Sequence, residues 1–311
     1  MKILAISGGS KNGTNDAMAR EALIGAQEAG AEIEFINLFN LELKPCTGCI
    51  ACTLSLMTGG DGHCVIKDDL DWLEEKINSA DGILWVLPNF IKGVPGIFKM
   101  IQDRLCGPSH DIGTNTVAKM IAEKMGKPGP GPEKFPKKVV SFISIGGSDW
   151  MTRFETDVRL AAMVPMWKII DIDVFTWSKS LILNDEGVAR VHQIGVNLVN
   201  AAKDFDKAEY LGDPGVCPHC HSRNFYFHPD GKTVECEVCG IKGELDTTDG
   251  FKFTFDPEQL EHAHDDVPGK LLHMKDIENN ENTLMNDKKS PEYKARQEKY
   301  KNFIQSSKPE K

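Results

Sequence analysis

Over the first two thirds of the chain, short apolar runs alternate with stretches whose apolar residues recur at helical spacing. Lys2-Ile-Leu-Ala-Ile6 is the first such run. It stops at a polar loop, Ser7-Gly-Gly-Ser-Lys-Asn-Gly-Thr-Asn15, and residues 16–28 then carry Ala19, Leu23 and Ala26 on one helical face up to Gly30. Residues 31–38 predict a second strand through Ile33, Phe35, Ile36 and Leu38, and residues 68–79 an amphipathic helix through Leu70, Leu73 and Ile77. Ile83-Leu-Trp-Val-Leu87 is apolar throughout, as suits a central parallel strand covered on both faces. After the loop Pro88-Asn-Phe-Ile-Lys-Gly-Val-Pro-Gly96 a helix runs through Arg104. Residues 139–145 predict a fourth strand ending at Gly146-Gly-Ser148, 152–163 a helix, 169–177 a fifth strand and 186–207 a closing helix.

Five strand–helix units with right-handed crossovers predict an α/β fold, a doubly wound parallel sheet of strand order 2-1-3-4-5. In that order the loops after strands one, three and four open together at the carboxyl edge of the sheet, where ligands bind. The first loop is the most informative. Helix-start N–H groups lack partners within the helix and favour an anion, but the dipole contributes only about 0.3–1 kcal/mol. The hydroxyls and amides of Ser10, Asn12, Thr14 and Asn15 would have to carry much of any phosphate binding. Gly8 and Gly13 have the spacing of a Walker loop, yet Thr14 and Asn15 follow where lysine and Ser/Thr are required, so nothing reaches β- and γ-phosphates. A G-x-G-x-x-G dinucleotide turn is also missing. On the loop alone two readings stay open: a single phosphate monoester such as that of FMN in a flavodoxin-like sheet, or a well-capped helix after a surface turn.

Charge narrows the partners. The 311 residues carry 36 Lys+Arg against 46 Asp+Glu, net −10, which disfavours nucleic acid. No apolar run approaches the ~18 residues of a membrane helix, and the chain enters a strand without a signal-peptide pattern, so a cytoplasmic protein is expected. Eight of the nine cysteines form two spaced groups, Cys46/Cys49/Cys52/Cys64 and Cys217/Cys220/Cys236/Cys239, a pattern that in a cytosolic chain points to metal.

Asp213-Pro-Gly215 marks a boundary, giving a sheet domain over 1–210, a small module over 215–255 and a polar tail or helical arm over 256–311. Cys217-Pro-His-Cys220, followed by Cys236-Glu-Val-Cys239, reads as two knuckles around one S4 site. A module of about forty residues cannot bury enough apolar surface to fold unaided. Structural zinc supplies roughly 10–16 kcal/mol and makes a zinc ribbon the expected reading, with rubredoxin-type iron as the redox alternative. His219 and His221 are spare, since four thiolates complete the shell. Phe251-Lys-Phe-Thr-Phe255 reads as one further strand. Beyond it, His262, His264 and His273 are expected on solvated surface, and Tyr293, Gln297, Tyr300 and Ile304 on one face of a charged helix. Residues 107–138 are an insertion before strand four. His110 beside Asp111 is a candidate proton-donating pair, or a polar turn and helix cap. Cys106 is expected to be a buried thiol, and Trp150, Trp167 and Trp177 either line a pocket or pack at the sheet edge.

Ser7-Gly-Gly-Ser-Lys-Asn-Gly-Thr-Asn15 resembles the phosphate loop of the NADPH-dependent FMN reductase family, and Pro88 to Gly96, with Lys99 and Asp103-Arg104, resembles its isoalloxazine loop. Phe90 stands where many members have tyrosine, and Asn89 is an unusual choice there. The resemblance implies FMN held by Ser7, Gly9, Ser10, Asn12, Gly13, Thr14, Asn15, Pro88, Asn89, Phe90, Ile91, Gly146 and Gly147. It also implies NAD(P)H as co-substrate and a homodimer or homotetramer with the flavin at a subunit interface. Cys46-x2-Cys49-x2-Cys52 resembles the compact motif of iron–sulfur flavoproteins, implying a [4Fe–4S] cluster with Cys64 as fourth ligand; the last gap is longer than usual, and buried or free thiols, as in related cluster-free flavoproteins, or zinc are the alternatives. The implied activity is reduction of a small organic electron acceptor, such as a quinone or a conjugated or aromatic compound. The alternatives are an electron carrier exchanging with ferredoxin and a redox-sensing module that binds protein.

Overall fold

Residues 1–105, 107–129, 131–248, 252–263, 265–287, 289–292 and 294–295 are described by the computed structural model. Cys106, His264, Tyr293, Gln297, Tyr300 and Ile304 lie outside them, and so do the expectations placed on them. The chain runs β1 (Lys2–Ser7), α1 (Thr14–Glu28), β2 (Glu32–Asn37), α2 (Ala51–Met57), α3 (Leu70–Ser79), β3 (Gly82–Pro88) and α4 (Gly96–Leu105). It continues through α5 (Ile112–Lys124), β4 (Val139–Ile145), α6 (Phe154–Met163), β5 (Lys168–Phe175) and α7 (Asp185–Lys203). Strands β1 to β5 form a parallel sheet in the order β2-β1-β3-β4-β5. This is a flavodoxin-like doubly wound fold.

The apolar runs are central because both faces are covered. On one side Leu4, Ile6, Ile83, Trp85, Val140 and Phe142 pack against α3, α4 and α6 through Leu73, Ile77, Phe98, Ile101, Phe154 and Val158. On the other, Ile3, Ala5, Leu84, Val86 and Ile143 meet α1 and α7 through Met18, Ala22, Leu23, Val191, Ile194 and Leu198. Gly25 and Gly195 let α1 and α7 touch backbone to backbone: a Cβ at Gly195 would run into the carbonyl of Ala22.

Several boundaries differ from the periodicity. Helix α1 starts at Thr14, two residues earlier than the apolar spacing shows, because polar side chains can enter a first turn that faces a loop. Within the insertion, where the sequence predicts a helix over 115–124, α5 starts earlier, at Ile112, because Asp111 caps it by accepting from the Thr114 N–H at 2.8 Å. Strand β5 stops at Phe175, and Trp177 leaves it in a left-handed conformation (φ 54°). Helix α7 ends at Lys203 and passes into a short 3-10 turn over 205–207. Helix α2 was not legible at all: the cysteines and glycines around it mask its period.

The module after Asp213 is a four-stranded antiparallel meander of β6 (Phe225–Phe227), β7 (Thr233–Cys236), β8 (Lys242–Asp246) and β9 (Lys252–Phe255). Its small core is the four cysteines with Val238, Ile241 and Ala263. Past α8 (Pro257–Leu260), α9 (Val267–Asp287) returns to the sheet domain. There Lys270 Nζ pairs with Asp111 at 2.6 Å, and the Thr114 hydroxyl meets Met274 Sδ at 3.2 Å.

Candidate functional site

The three loops predicted to converge do meet at the carboxyl edge of the sheet. Gly8 N–H donates to the Val86 carbonyl at 3.0 Å, and Asn89 N–H to that of Ile145 at 3.3 Å, so loops one and two hang from neighbouring strands. The third is stitched to the end of β5 by Gly146 N–H to Phe175 O (3.0 Å) and Ser178 N–H to Gly146 O (2.8 Å), with Gly147 next along it.

The first loop is shaped by a buried polar pair that the sequence did not single out. Asp16, in the first turn of α1, is buried; one carboxylate oxygen accepts from Asn12 N–H and the other from Asn37 Nδ2, both at 2.7 Å. The Asn37 amide also donates to the Gly9 carbonyl at 3.0 Å. Asn12 is thereby held at φ 57°, turning the loop back over the helix start. Ser7 Oγ accepts from Gly9 N–H at 3.3 Å, and Gly13 N–H donates to Ser10 O at 3.0 Å. The Thr14 hydroxyl donates to the Lys179 carbonyl at 2.7 Å, tying α1 to the segment after β5. The signals were faint: an acid in a first helical turn and a lone polar residue, Asn37, inside the apolar run Ile36–Leu38.

This loop fits a phosphate group better than it fits a capped helix end. The N-cap residue is Gly13 and no side chain caps α1, so its first-turn amides keep their capacity for an anion. The Oδ1 atom of Asn15 is buried there with no hydrogen-bond partner, an arrangement that costs free energy unless a ligand completes it.

In the second loop Phe90 and Gly93 exchange both backbone hydrogen bonds (3.0 and 3.1 Å) around Ile91 and Lys92, which sit at φ 50° and 69°. Two successive non-glycine residues in the left-handed region, one of them β-branched, cost about 1–3 kcal/mol each. Asn89 Nδ2 is a second buried amide atom without a partner. Phe90 (59% exposed), Ile91 (87%), Trp150 (62%) and Trp177 (71%) present apolar surface along the same edge, and Lys92 Nζ lies 5.1 Å above the Trp150 ring. Trp167 instead packs, partly buried, against the core.

Between β2 and α3 the first cysteine group is open to solvent: Cys46 and Cys49 are exposed in the loop before α2, Cys52 is half-buried on α2 and Cys64 half-buried in the segment after it. The Ala51 N–H, then the Thr47 hydroxyl, lower the Cys49 thiol below its ordinary value, toward the thiolate that a metal would take. Buried Arg104, at the end of α4, clamps this loop. It pairs with Asp68 and donates to the carbonyls of Lys44 (3.1 Å) and Ile66 (3.3 Å) and to Cys64 Sγ (3.4 Å). Burial opposes the charge on Asp68, but the Arg104 guanidinium and the N–H groups of Lys44 and Leu70 prevail and hold its carboxyl below the usual range.

His110 lies past the far end of α4 from the Pro88–Gly96 loop. Its Nε2 meets Glu74 Oε1 at 2.9 Å, its ring packs on Phe135 at 5.4 Å, and Asp111 is occupied as the α5 cap. The pair therefore does not reach the rim.

In the ribbon, the sulfurs of Cys217, Cys220, Cys236 and Cys239 all lie within 4.8 Å of one another, with 3.6 Å for Cys217–Cys239 and 3.4 Å for Cys220–Cys236. A tetrahedron with metal–sulfur bonds of about 2.3 Å needs sulfurs about 3.8 Å apart, so the donor set fits one ion. Hydrogen bonding among the sulfurs drives the thiols apart in acidity. Cys217, bonded first to Cys220, and Cys236, bonded first to Cys217, fall, while Cys220 and Cys239 rise, both chiefly through Cys217.

A flavodoxin-like sheet with a first loop suited to a phosphate and an aromatic rim fits a flavin-dependent oxidoreductase. The family model for NADPH-dependent FMN reductase matches residues 1–179, and the chain belongs to that family. Among solved structures it is similar to a flavone reductase, 47% identical with a TM-score of 0.88 over 100% of both chains. It is also similar to flavone synthase cfoJ of Aspergillus candidus, 29% identical over 296 residues and 89% of each chain. An iron–sulfur flavoprotein of Methanocaldococcus jannaschii is 40% identical over 105 residues, 33% of this chain and 51% of that protein. Among the described residues no helix is long and apolar enough to cross a membrane.

Proposed function

We propose that this protein is an FMN-dependent NAD(P)H oxidoreductase that reduces the conjugated double bond of a planar aromatic acceptor of the flavone type. The observation that carries the reading is the rim itself: two buried, unpartnered amide atoms, on Asn15 and Asn89, beside the exposed Phe90, Trp150 and Trp177. Full-length similarity to a flavone reductase supports the acceptor class.

The first turn of α1 with Ser10, Thr14 and Asn15 would hold the phosphate, and Asn89, Phe90 and Gly146-Gly147 the ring. FMN, when bound, supplies hydride chemistry between NAD(P)H and the acceptor. The chain's part is to fix the ring edge through Asn89 and to exclude water with the rim aromatics. It also offers a flat apolar surface on which an aromatic acceptor can stack. The balance is two electrons and two protons added across one carbon–carbon double bond. The same exposed aromatics fit a homo-oligomer in which a second copy covers the flavin. For the cysteine loop we favour a [4Fe–4S] cluster, supported by the Cys46-x2-Cys49-x2-Cys52 spacing and the iron–sulfur flavoprotein relative. For the ribbon we favour zinc.

Protein purified without oxygen and supplied with FMN should bind it, show a bleachable flavin band with NADH or NADPH, and convert a flavone to its 2,3-dihydro product. Flavin reduction without loss of any flavone would remove the acceptor assignment. Iron and acid-labile sulfide analysis decides the cluster. Asn89→Leu is expected to weaken FMN binding about five- to tenfold, the loss of one buried hydrogen bond, measured by flavin fluorescence quenching.

A further inference from the structure

We propose that the four-cysteine ribbon braces the flavin loop, with Asn224 as a positioning residue that locks the first turn of α6 and, through it, the strained turn at Ile91 and Lys92. The proposal rests on the reading of the rim as the flavin seat.

A turn that stores strain keeps its shape only if its surroundings over-determine it, and here α6 does so. Arg153 N–H donates to the Lys92 carbonyl at 2.9 Å, and Asp157 Oδ2 accepts from the Val94 N–H at 3.2 Å. Gly93 lies so close to the Asp157 carboxylate that a Cβ there would displace it. The turn is therefore gripped on both sides by one helical turn of α6.

That turn is in its own right the start of a short helix with no side-chain cap. Its partner comes from the ribbon: Asn224 Nδ2 donates to the Thr152 carbonyl at 3.0 Å and to Thr156 Oγ1 at 2.6 Å. Asn224 sits between two cavities, about 320 and 780 Å³ in volume, and lines both. The ribbon thus meets this part of α6 through directed hydrogen bonds rather than continuous apolar packing.

Both metal knuckles set the position of Asn224. Its N–H donates to Ser222 Oγ at 3.1 Å, and Ser222 O accepts from Cys217 N–H at 2.9 Å. Its carbonyl accepts from the N–H of Glu237, beside Cys236, at 3.1 Å. Further along α6, Arg159 donates to the Cys220 carbonyl and to the Tyr210 hydroxyl, both at 2.9 Å, anchoring the first knuckle to the same helix. Hydrogen bonds joined by short backbone links thus connect residues of both knuckles, through Asn224 and the Thr152–Thr156 turn, to the loop at Ile91 and Lys92.

The test compares FMN with riboflavin, which lacks the phosphate. Asn224→Ala, with metal content verified, is expected to weaken both ligands equally, by about three- to tenfold, because the defect lies at the ring. Thr156→Val removes one of the two bonds from the sheet-domain side and leaves the ribbon intact. It should shift both affinities in the same direction by a smaller factor, and it carries the test if Asn224→Ala loses its metal. Unchanged affinities in the variants, with Asn89→Leu still weakening FMN, would overturn the brace and leave the ribbon an independent appendage. If the wild type binds neither ligand, or Asn89→Leu has no effect, the flavin seat itself is misplaced.

Discussion

Replacing Cys236 with serine is expected to empty the ribbon of metal and unfold residues 215–255 while the parallel sheet stays folded. Two separate cores make the effect local: the ribbon's is built from the thiolates with Val238, Ile241 and Ala263, and none of these belongs to the packing on either face of the sheet. A module of about forty residues has too little apolar surface to compensate, whereas a structural S4 ion contributes roughly 10–16 kcal/mol. Zinc content should fall from one ion per chain to none, and amide exchange in β6, β7 and β8 should become fast while β1, β3 and β4 remain protected. Because the ligands must be deprotonated, metal affinity in the wild type should decline as pH falls. If the brace operates, FMN binding weakens in the same variant. Full metal occupancy with a protected ribbon would show that the four sulfurs do not act as one site.

Arg104→Leu is the second large effect. The side chains of Arg104 and Asp68 are 2% and 1% exposed, so the change strands a carboxylate beneath the cysteine loop. Removing one partner of a buried pair costs about 3–5 kcal/mol, and removing both in Arg104→Leu/Asp68→Leu should cost less. The pH dependence has a definite sign. The folded Asp68 carboxyl is held below its ordinary value of 3.8, so the pair's contribution is fully present above that value. It disappears as pH falls through the lower folded value. Urea unfolding of wild type and Asp68→Asn should therefore differ at pH 7 and converge under acid. The clamp also holds Cys64 and the backbone of Lys44 and Ile66, so in cluster-free protein Arg104→Leu should raise the reaction rate of Cys64 with a thiol reagent. An unaltered rate with unaltered stability would mean that the pair holds nothing.

Most of the sheet was readable in advance. Apolar runs at Ile3–Ile6 and Ile83–Leu87 and helical spacing at Ala19, Leu23 and Ala26 report burial that each element requires whatever its neighbours are. Strand order followed because crossover handedness leaves few ways to wind five such units. The two Cys-x2-Cys knuckles were equally plain, since their spacing is fixed by the geometry of the ion they would share. What the rim loops are made of was thus known from residue order.

How those loops are held was not. Asp16 and Asn37 are 21 residues apart, Asn224 and Thr152 are 72 apart, and Arg104 and Asp68 are 36 apart. Nothing in the neighbourhood of either partner announces the other. Residue order leaves Trp150 and Trp177 open between pocket lining and packing until the ends of β4 and β5 place them in solvent, and His110 open between proton donor and polar turn until α4 carries it away from the rim. Periodicity and ligand spacing are properties of adjacent residues. Buried polar pairing depends on which elements the winding brings together, and that information exists only once the chain has folded.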